Sequence, residues 1–184
     1  MLPDGTLTLT ADRGVFSASG IDPGTELLMR EAPMPPLHGD LLDLGAGYGP
    51  IALTLARRSP EARVWAVDVN ERALDLVRDN ARAADILNVV PALPDQVPSD
   101  VRFAAIYSNP PVRIGKPALR GLLEHWLDRL HPDARAYLVV QKHLGSDSLA
   151  RWLVEGGFSV RRLCSRKHYR VLDVRARSGP AGLG

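Results

Sequence analysis

Residues 40–49 of the chain read DLLDLGAGYG, and this stretch decides the fold class. The apolar run at its start is typical of a strand buried in a sheet, and the three glycines after it predict a tight turn that opens a helix. Glycine lets the backbone turn sharply and lets a ligand approach without a Cβ in the way. The stretch therefore predicts a strand, turn and helix unit with a ligand site at the carboxyl end of the strand.

The spacing of the glycines limits which ligand the turn can hold. A dinucleotide fingerprint, G-x-G-x-x-G, would need a glycine where the chain has Pro50, and no Gly-Lys-Ser or Gly-Lys-Thr follows, which excludes a P-loop. Asp68 ends the next predicted strand, and a carboxylate about 20 residues after such a turn can accept the hydroxyls of a ribose. A nucleoside cofactor without phosphates indicates S-adenosylmethionine. The alternative is a plain turn in which Asp68 caps the helix that begins near Asn70.

Strands and helices alternate along most of the chain. Two β-rich segments, 158–165 and 168–176, end the pattern without a helix between them. This order predicts an α/β fold with a Rossmann-like, mostly parallel sheet, helices on both faces and an antiparallel C-terminal hairpin. The other predicted strands are 40–45, 62–69, 86–90, 101–108 and 135–142, and the helices between them are 48–59, 70–84, 116–131 and 148–157.

The first part of the chain predicts a short hairpin and one helix. Leu and Thr alternate over residues 4–16, as in a hairpin, and Asp22 and Pro23 suit the N-cap and first position of a helix. We expect a single domain over residues 1–184. Its parts are the hairpin and helix in 1–38, a catalytic core in 39–176 and a flexible tail in 177–184.

A second unusual stretch, IYSNPPV at residues 106–112, ends a predicted strand. The two prolines stop the strand and favour an extended conformation at Asn109 and Pro110. The Asn109 side-chain oxygen and the Pro110 carbonyl are neutral acceptors that Pro110 and Pro111 would hold rigidly, so we interpret the stretch as catalytic. The alternative is a loop in which Asn109 satisfies a buried backbone group.

Composition excludes several classes of protein. A length of 184 residues fits one domain, and the chain has no apolar run long enough to span a membrane. Cys164 is the only cysteine and the histidines are scattered, so we expect no disulfide and no metal site. The formal net charge of +2 does not by itself indicate a nucleic-acid partner. We expect a cytoplasmic protein.

Three segments in this order, LDLGAGYG (42–49), VWAVDVNERAL (64–74) and SNPPV (108–112), resemble the class I S-adenosylmethionine-dependent methyltransferases. The N-P-P sequence is similar to that of the amino-group methyltransferases. Two further segments, GVFSASGIDPGTELLM (14–29) and SNPPVRIGK (108–116), resemble the small methyltransferase domain of the 16S ribosomal RNA guanine-N2 methyltransferase family. The resemblance implies a sheet of seven strands with the last one antiparallel.

The same resemblance implies roles for individual residues. Gly45 and Gly47 would pack under the methionine part of S-adenosylmethionine, Asp68 would hold its ribose, and Thr25 would reach it from the N-terminal helix. The position after N-P-P is usually a large aromatic in the family, whereas this chain has Val112. The full expected cofactor set is Asp43, Gly45, Ala46, Gly47, Asp68, Val69, Asn109 and Thr25, the catalytic set is Asn109, Pro110 and Pro111, and the substrate set is Val112, Arg113 and Lys116.

The expected reaction is methylation of an exocyclic amine, with guanine N2 of ribosomal RNA or of a ribosomal subunit favoured. Adenine N6, a protein glutamine amide and a small-molecule amine are alternative acceptors, and a catalytically silent module for ribosome assembly is the alternative of another class. A basic cluster near the C-terminus either grips RNA phosphates or is a solvated strand face. Its members are Arg161, Arg162, Arg166, Lys167, His168 and Arg170.

Overall fold

The computed structural model describes residues 7–11 and 21–177, and its centre is one sheet of seven strands. The strands are β1 (Asp40–Leu44), β2 (Arg63–Val67), β3 (Val89–Ala92), β4 (Phe103–Ser108), β5 (Leu130–Gln141), β6 (Ser159–Arg166) and β7 (Tyr169–Arg175). The helices are α1 (Pro23–Glu31), α2 (Pro50–Arg58), α3 (Glu71–Ala83), α4 (Lys116–Leu127) and α5 (Ser146–Glu155).

The strand order is β3-β2-β1-β4-β5-β7-β6. The first five strands pair in parallel, whereas β7 lies antiparallel between β5 and β6. The predicted α/β fold, with its mostly parallel sheet and antiparallel C-terminal hairpin, is confirmed. The chain reverses its direction across the sheet between β1 and β4, which is where open α/β sheets bind ligands.

Helices cover both faces of the sheet. One apolar cluster joins the sheet to α1, α2 and α3, and a second joins it to α4 and α5. Trp65 and Trp126 are buried, in accord with their positions in the strand and helix patterns. Because α1 contacts both β5 and β7, its first turn reaches the carboxyl ends of the central strands.

The third strand begins three residues later and ends two residues later than predicted, at Val89–Ala92 instead of 86–90. The side chain of Asn88 donates to the carbonyls of Ala56, Ser59 and Ala62, so the residues before β3 form the connection instead of the sheet. The strand includes Pro91, which is tolerated because β3 is at the edge of the sheet.

The boundary between α4 and β5 also differs from the prediction of a helix over 116–131. The helix ends at Leu127, and β5 begins at Leu130. Arg129 lies outside the helix: its carbonyl accepts from the Phe103 N–H at 2.8 Å, and its guanidinium donates to the carbonyls of Pro98 and Val101. It also lies 4.9 Å from the centroid of the Trp126 ring.

Parts of the predicted N-terminal hairpin and C-terminal tail, residues 4–6, 12–16 and 178–184, lie outside the described residues. The described part of the hairpin, residues 7–11, forms no strand. Its Thr10 instead exchanges two hydrogen bonds with the side chain of Asn80 on α3.

Candidate functional site

The glycine turn and the N-P-P loop meet at the carboxyl ends of β1 and β4. Gly45 has a φ of +77°, and a Cβ on it would lie 3.7 Å from Pro111 Cδ and 3.9 Å from the carbonyl oxygen of Asn109. A side chain here would occupy the space between the two loops and strain the backbone. The two motifs that the sequence singled out therefore form one site.

The backbone N–H groups of the glycine turn are used within the protein. Gly45 and Ala46 both donate to the Val67 carbonyl, at 2.8 and 3.0 Å, and Gly47 donates to Asp68 Oδ2 at 2.8 Å. A turn that binds phosphate leaves such groups free to point at the anion. This turn is thus suited to a ligand without phosphates, as its glycine spacing predicted.

Asp68 ties the turn to the start of α3. Its second carboxylate oxygen, Oδ1, accepts from the Asn70 N–H at 3.0 Å, while Asn70 itself caps α3 by accepting from the Arg72 N–H. The helix-end role that the sequence left as an alternative is therefore present. Each carboxylate oxygen has a further lone pair, so Asp68 can still accept a hydroxyl.

Asp43 is completely buried directly below the turn. Its Oδ2 accepts from the Ala52 N–H at 2.8 Å, whereas Oδ1 has no hydrogen-bond partner. Burial, with a smaller contribution from the nearby charge of Asp68, raises the pKa of this carboxyl from 3.8 to about 8.

The carboxamide of Asn109 is held by the first turn of α1. Its Nδ2 donates to Asp22 Oδ1 at 2.8 Å and to Thr25 Oγ1 at 3.1 Å. A carboxylate can only accept, so Asp22 determines which end of the amide is nitrogen. Among the described residues, no group donates to the amide oxygen of Asn109, and Asn109 is one of the residues that line a cavity between α1 and the glycine turn. The lining of this cavity includes Asp22, Thr25, Gly45, Ala46, Gly47, Tyr48 and Asn109.

The Pro110 carbonyl is partly engaged by its own loop. It accepts from the Val112 N–H at 2.8 Å, and Pro111, with φ −74° and ψ 71°, closes a three-residue turn between them. A carbonyl oxygen has two lone pairs, so one remains available. The turn orients the carbonyl, a restraint that the two prolines alone did not predict.

The remaining predicted residues surround the site and differ in how far their side chains are exposed. Val69 follows β2 and is 80% exposed, and Arg113 and Lys116 are exposed on the loop after β4. Val112 packs partly against the core below α4, so it presents only part of its side chain to the loop surface.

The C-terminal basic cluster is largely neutralised by acidic neighbours. Arg161 pairs with Asp173, Arg166 with Glu31, and Arg170 with Asp147. Three of its six members are thus engaged in ion pairs, which weakens the interpretation of the whole cluster as a phosphate grip.

Sequence reasoning did not assign Asp22 or Tyr48 to the site. Asp22 was expected only to cap α1, which it does by accepting from the Gly24 and Thr25 N–H groups at 2.8 and 3.1 Å. Its contact with Asn109 joins residues 87 positions apart. No local pattern carries that signal.

Two negative findings concern residues 7–11 and 21–177. In that part of the chain, no helix has the length and apolar character needed to cross a bilayer. The same residues contain no cluster of three or more His, Cys, Asp or Glu side chains arranged to bind a metal ion.

Comparison with known proteins gives consistent matches. The family model of the methyltransferase small domain matches residues 6–173. The uncharacterized protein YbxB of Bacillus subtilis is 35% identical over 171 residues, which cover 91% of this chain and 85% of that protein. The ribosomal RNA small subunit methyltransferase C of Aeromonas hydrophila is 38% identical over 126 residues, covering 67% of this chain and 36% of that protein.

Among solved structures, the 16S rRNA N2 methyltransferase of T. thermophilus, in complex with AdoMet and guanosine, superimposes with a TM-score of 0.74 and 27% identity. The match covers 89% of this chain and 46% of that one. The chain thus spans less than half the length of these two ribosomal RNA methyltransferases.

Proposed function

The chain belongs to the methyltransferase small domain family, and we propose that it methylates the exocyclic N2 amine of guanine in ribosomal RNA. The resemblance to class I methyltransferases predicted from the sequence is confirmed, and the enzyme uses S-adenosylmethionine. The observation that carries the proposed acceptor is the orientation of Asn109: Asp22 and Thr25 hold its nitrogen, and no described residue donates to its oxygen.

The residues at the turn fit this cofactor. The N–H groups of Gly45, Ala46 and Gly47 already donate to Val67 and Asp68, which suits a nucleoside that lacks phosphates. When bound, S-adenosylmethionine supplies an electrophilic methyl group on a sulfonium. We assign Asp43, Gly45, Ala46, Gly47, Thr25, Asp68, Val69 and Asn109 to its binding, with Asp68 at the ribose.

The acceptor amine is a poor nucleophile because its lone pair is delocalised into the purine ring. Two acceptors on its N–H groups favour a pyramidal nitrogen and stabilise the positive charge that develops on it. Asn109 Oδ1 and the Pro110 carbonyl are placed to do this on one short loop. Since both are already oriented by hydrogen bonds, little ordering remains to be done when the amine arrives.

A neutral amide suits this role better than a carboxylate. A carboxylate would bind a free ammonium strongly and could itself take up the proton. No strong base is required, because the nitrogen becomes acidic once its lone pair has formed the N–C bond, and its proton then passes to solvent.

The acceptor base must leave its helix to reach the loop, since the amine of a paired guanine is buried in the duplex. We assign Val112, Arg113 and Lys116, which follow the prolines, to contact with the RNA. The two rRNA methyltransferases that match this chain support RNA over other acceptors. An rRNA acceptor would place the enzyme in the cytoplasm with the ribosomes.

The test is transfer of a labelled methyl group from S-adenosylmethionine to RNA from a strain that lacks this gene. We expect label in ribosomal RNA, and mass spectrometry of the digested RNA should find N2-methylguanosine at one position. Assays on naked 16S RNA and on small subunits will identify the form of the substrate. Label in adenine, in a protein glutamine or in a small amine would overturn the guanine assignment. Cofactor binding without transfer to any of these would instead indicate a silent assembly module.

A further inference from the structure

Charge is distributed unequally along the sheet edge that carries the site. The loops after β4 and β5 and the β6–β7 turn carry a set of arginine, lysine and histidine side chains that we call the basic flank. On the other side of the site, the ends of β2 and β3 carry Asp68, Glu71 and Asp95, together with Arg72. The members of the basic flank are Arg113, Lys116, Lys142, His143, Lys167 and His168.

The basic flank is one continuous surface. The Lys142 N–H donates to the His168 carbonyl at 2.7 Å, which joins the end of β5 to the β6–β7 turn. Lys116 Cε lies 4.0 Å from the position that a Cβ on Gly145 would take, which joins the start of α4 to the start of α5. The flank therefore extends from the N-P-P loop to the end of the hairpin.

The cationic groups of the flank are free to bind a partner. In the described part of the chain, none of its six side chains has an ion pair or a hydrogen bond, and all but the half-buried Lys142 are exposed. The adjacent Arg166 and Arg170, by contrast, are paired with Glu31 and Asp147. Of the C-terminal cluster, only Lys167 and His168 belong to the flank.

The position of the lysines is not explained by arginine-rich composition. The chain has only three lysines among its 23 basic residues, and all three, Lys116, Lys142 and Lys167, lie in the basic flank. A lysine ammonium is a flexible point charge that suits phosphate oxygens. Lys167 has a φ of +47°, a left-handed conformation that favours glycine or asparagine, so the turn keeps a lysine at a conformational cost.

Apolar side chains are interspersed with these cations. Ile114, which follows Arg113, is 49% exposed, and Leu144, which follows His143, is 41% exposed. A surface with both free cations and exposed apolar groups matches a single-stranded nucleic acid, which presents phosphates and unstacked bases together.

We propose that the basic flank holds the phosphates of the RNA strand next to the acceptor nucleotide. The strand would leave Asn109 over β5 and the β6–β7 turn, away from the acidic ends of β2 and β3. Two to three strand spacings, about 10–15 Å, separate the end of β4 from the β6–β7 turn, so the flank contacts a few nucleotides. This inference rests on the proposed function, because it takes an RNA acceptor as given, and it adds Lys142, His143, Lys167 and His168 to the binding surface.

The test compares two double variants with the wild-type enzyme. Lys142→Gln with Lys167→Asn removes two charges of the flank, and asparagine suits the left-handed conformation at position 167. The control, Arg63→Gln with Arg175→Gln, removes two exposed charges at the opposite ends of the strands, of which Arg63 lies 3.9 Å from Asp40. For each protein, RNA affinity is measured over a range of salt concentrations, with kcat, the KM for RNA and the affinity for S-adenosylmethionine.

We expect the flank variant to bind RNA about tenfold more weakly at low salt, with a correspondingly higher KM. The slope of log K against log salt should become less steep by about 1.4, because each phosphate contact on a single strand contributes about 0.7. Its kcat and cofactor affinity should equal those of the wild type, and the control should match the wild type throughout.

The results that would contradict this inference differ from those that would contradict the proposed function. If the wild type methylates RNA and the flank variant keeps its KM and salt slope, the inference is wrong and the proposed function stands. If the wild type neither binds nor methylates ribosomal RNA, both are wrong. Loss of transfer to an acidic protein substrate in the flank variant, with RNA inactive, would reassign the flank to peptide binding.

Discussion

At the scale of the single residue, the orientation of the Asn109 side chain depends on the chemical difference between the nitrogen and the oxygen of its amide. Asp22 offers only acceptors, so the amide nitrogen must face it and the amide oxygen points away from it. Thr25 adds a second acceptor for the same nitrogen. The free oxygen is therefore an acceptor whose direction is fixed before any substrate binds.

The Asn109→Ala variant tests this role. We expect methyl transfer to fall about 10²- to 10³-fold, since the loss of one oriented polar group at a reacting centre has effects of this size. Affinity for S-adenosylmethionine should change less than about threefold, because the other seven residues assigned to the cofactor, among them the glycine turn and Asp68, are untouched. Calorimetric titration and single-turnover transfer provide the two numbers, and an equal loss in both would assign Asn109 to cofactor binding or folding instead.

At the scale of the element, α1 acts as a support for the catalytic loop. Asp22 caps the helix and Pro23 occupies its first position, so the N-terminus is well defined. The helix approaches β7 closely because residue 24 is glycine: a Cβ there would lie 2.7 Å from the Tyr169 ring. Close packing of α1 brings its cap to Asn109 of β4.

The Asp22→Ser variant separates the two functions of that cap. Serine caps a helix about as well as aspartate, so the midpoint of thermal unfolding should stay within a few degrees of the wild type. The substitution replaces the carboxylate that holds Asn109 by a shorter hydroxyl. We therefore expect kcat to fall about tenfold with little change in cofactor affinity. An unchanged kcat would show that Thr25 and the prolines are sufficient to orient the amide.

At the scale of the whole molecule, the sheet and its two helical layers determine the protonation of Asp43. The carboxyl has no access to water, so burial raises its pKa to about 8, while the unfolded chain keeps a value near 3.8. Between these two pH values the folded state binds more protons than the unfolded state. Stability from this group is therefore lost as the pH rises from about 4 to about 8.

The Asp43→Asn variant should remove this contribution. Asparagine can still accept from the Ala52 N–H, but it does not titrate. We expect the unfolding temperature of the wild type to fall more steeply with pH than that of the variant between pH 4 and 8. Unfolding scans of both proteins across this range measure the difference, and parallel curves would mean that Asp43 is ionised in the fold at a much lower pH.

Local sequence patterns determined the order of strands and helices, the turn after β1, the antiparallel C-terminal hairpin and the family. These features depend on residues close together in the chain, where hydrophobic periodicity, glycine spacing and the effect of proline on its neighbours act directly. The same patterns placed Asp68 and Asn109 at strand ends, since parallel strands bring those ends to one edge.

Only the tertiary structure decided which groups are free. The register of β3 depends on Asn88 binding carbonyls more than 25 positions away, and the orientation of Asn109 depends on Asp22, 87 positions away. Likewise, Arg166 and Arg170 are neutralised by acids on other elements, while Lys142 and Lys167 are not. A hydrogen bond or ion pair between distant residues leaves no periodic trace in the sequence, so its partners are known only once the chain has folded.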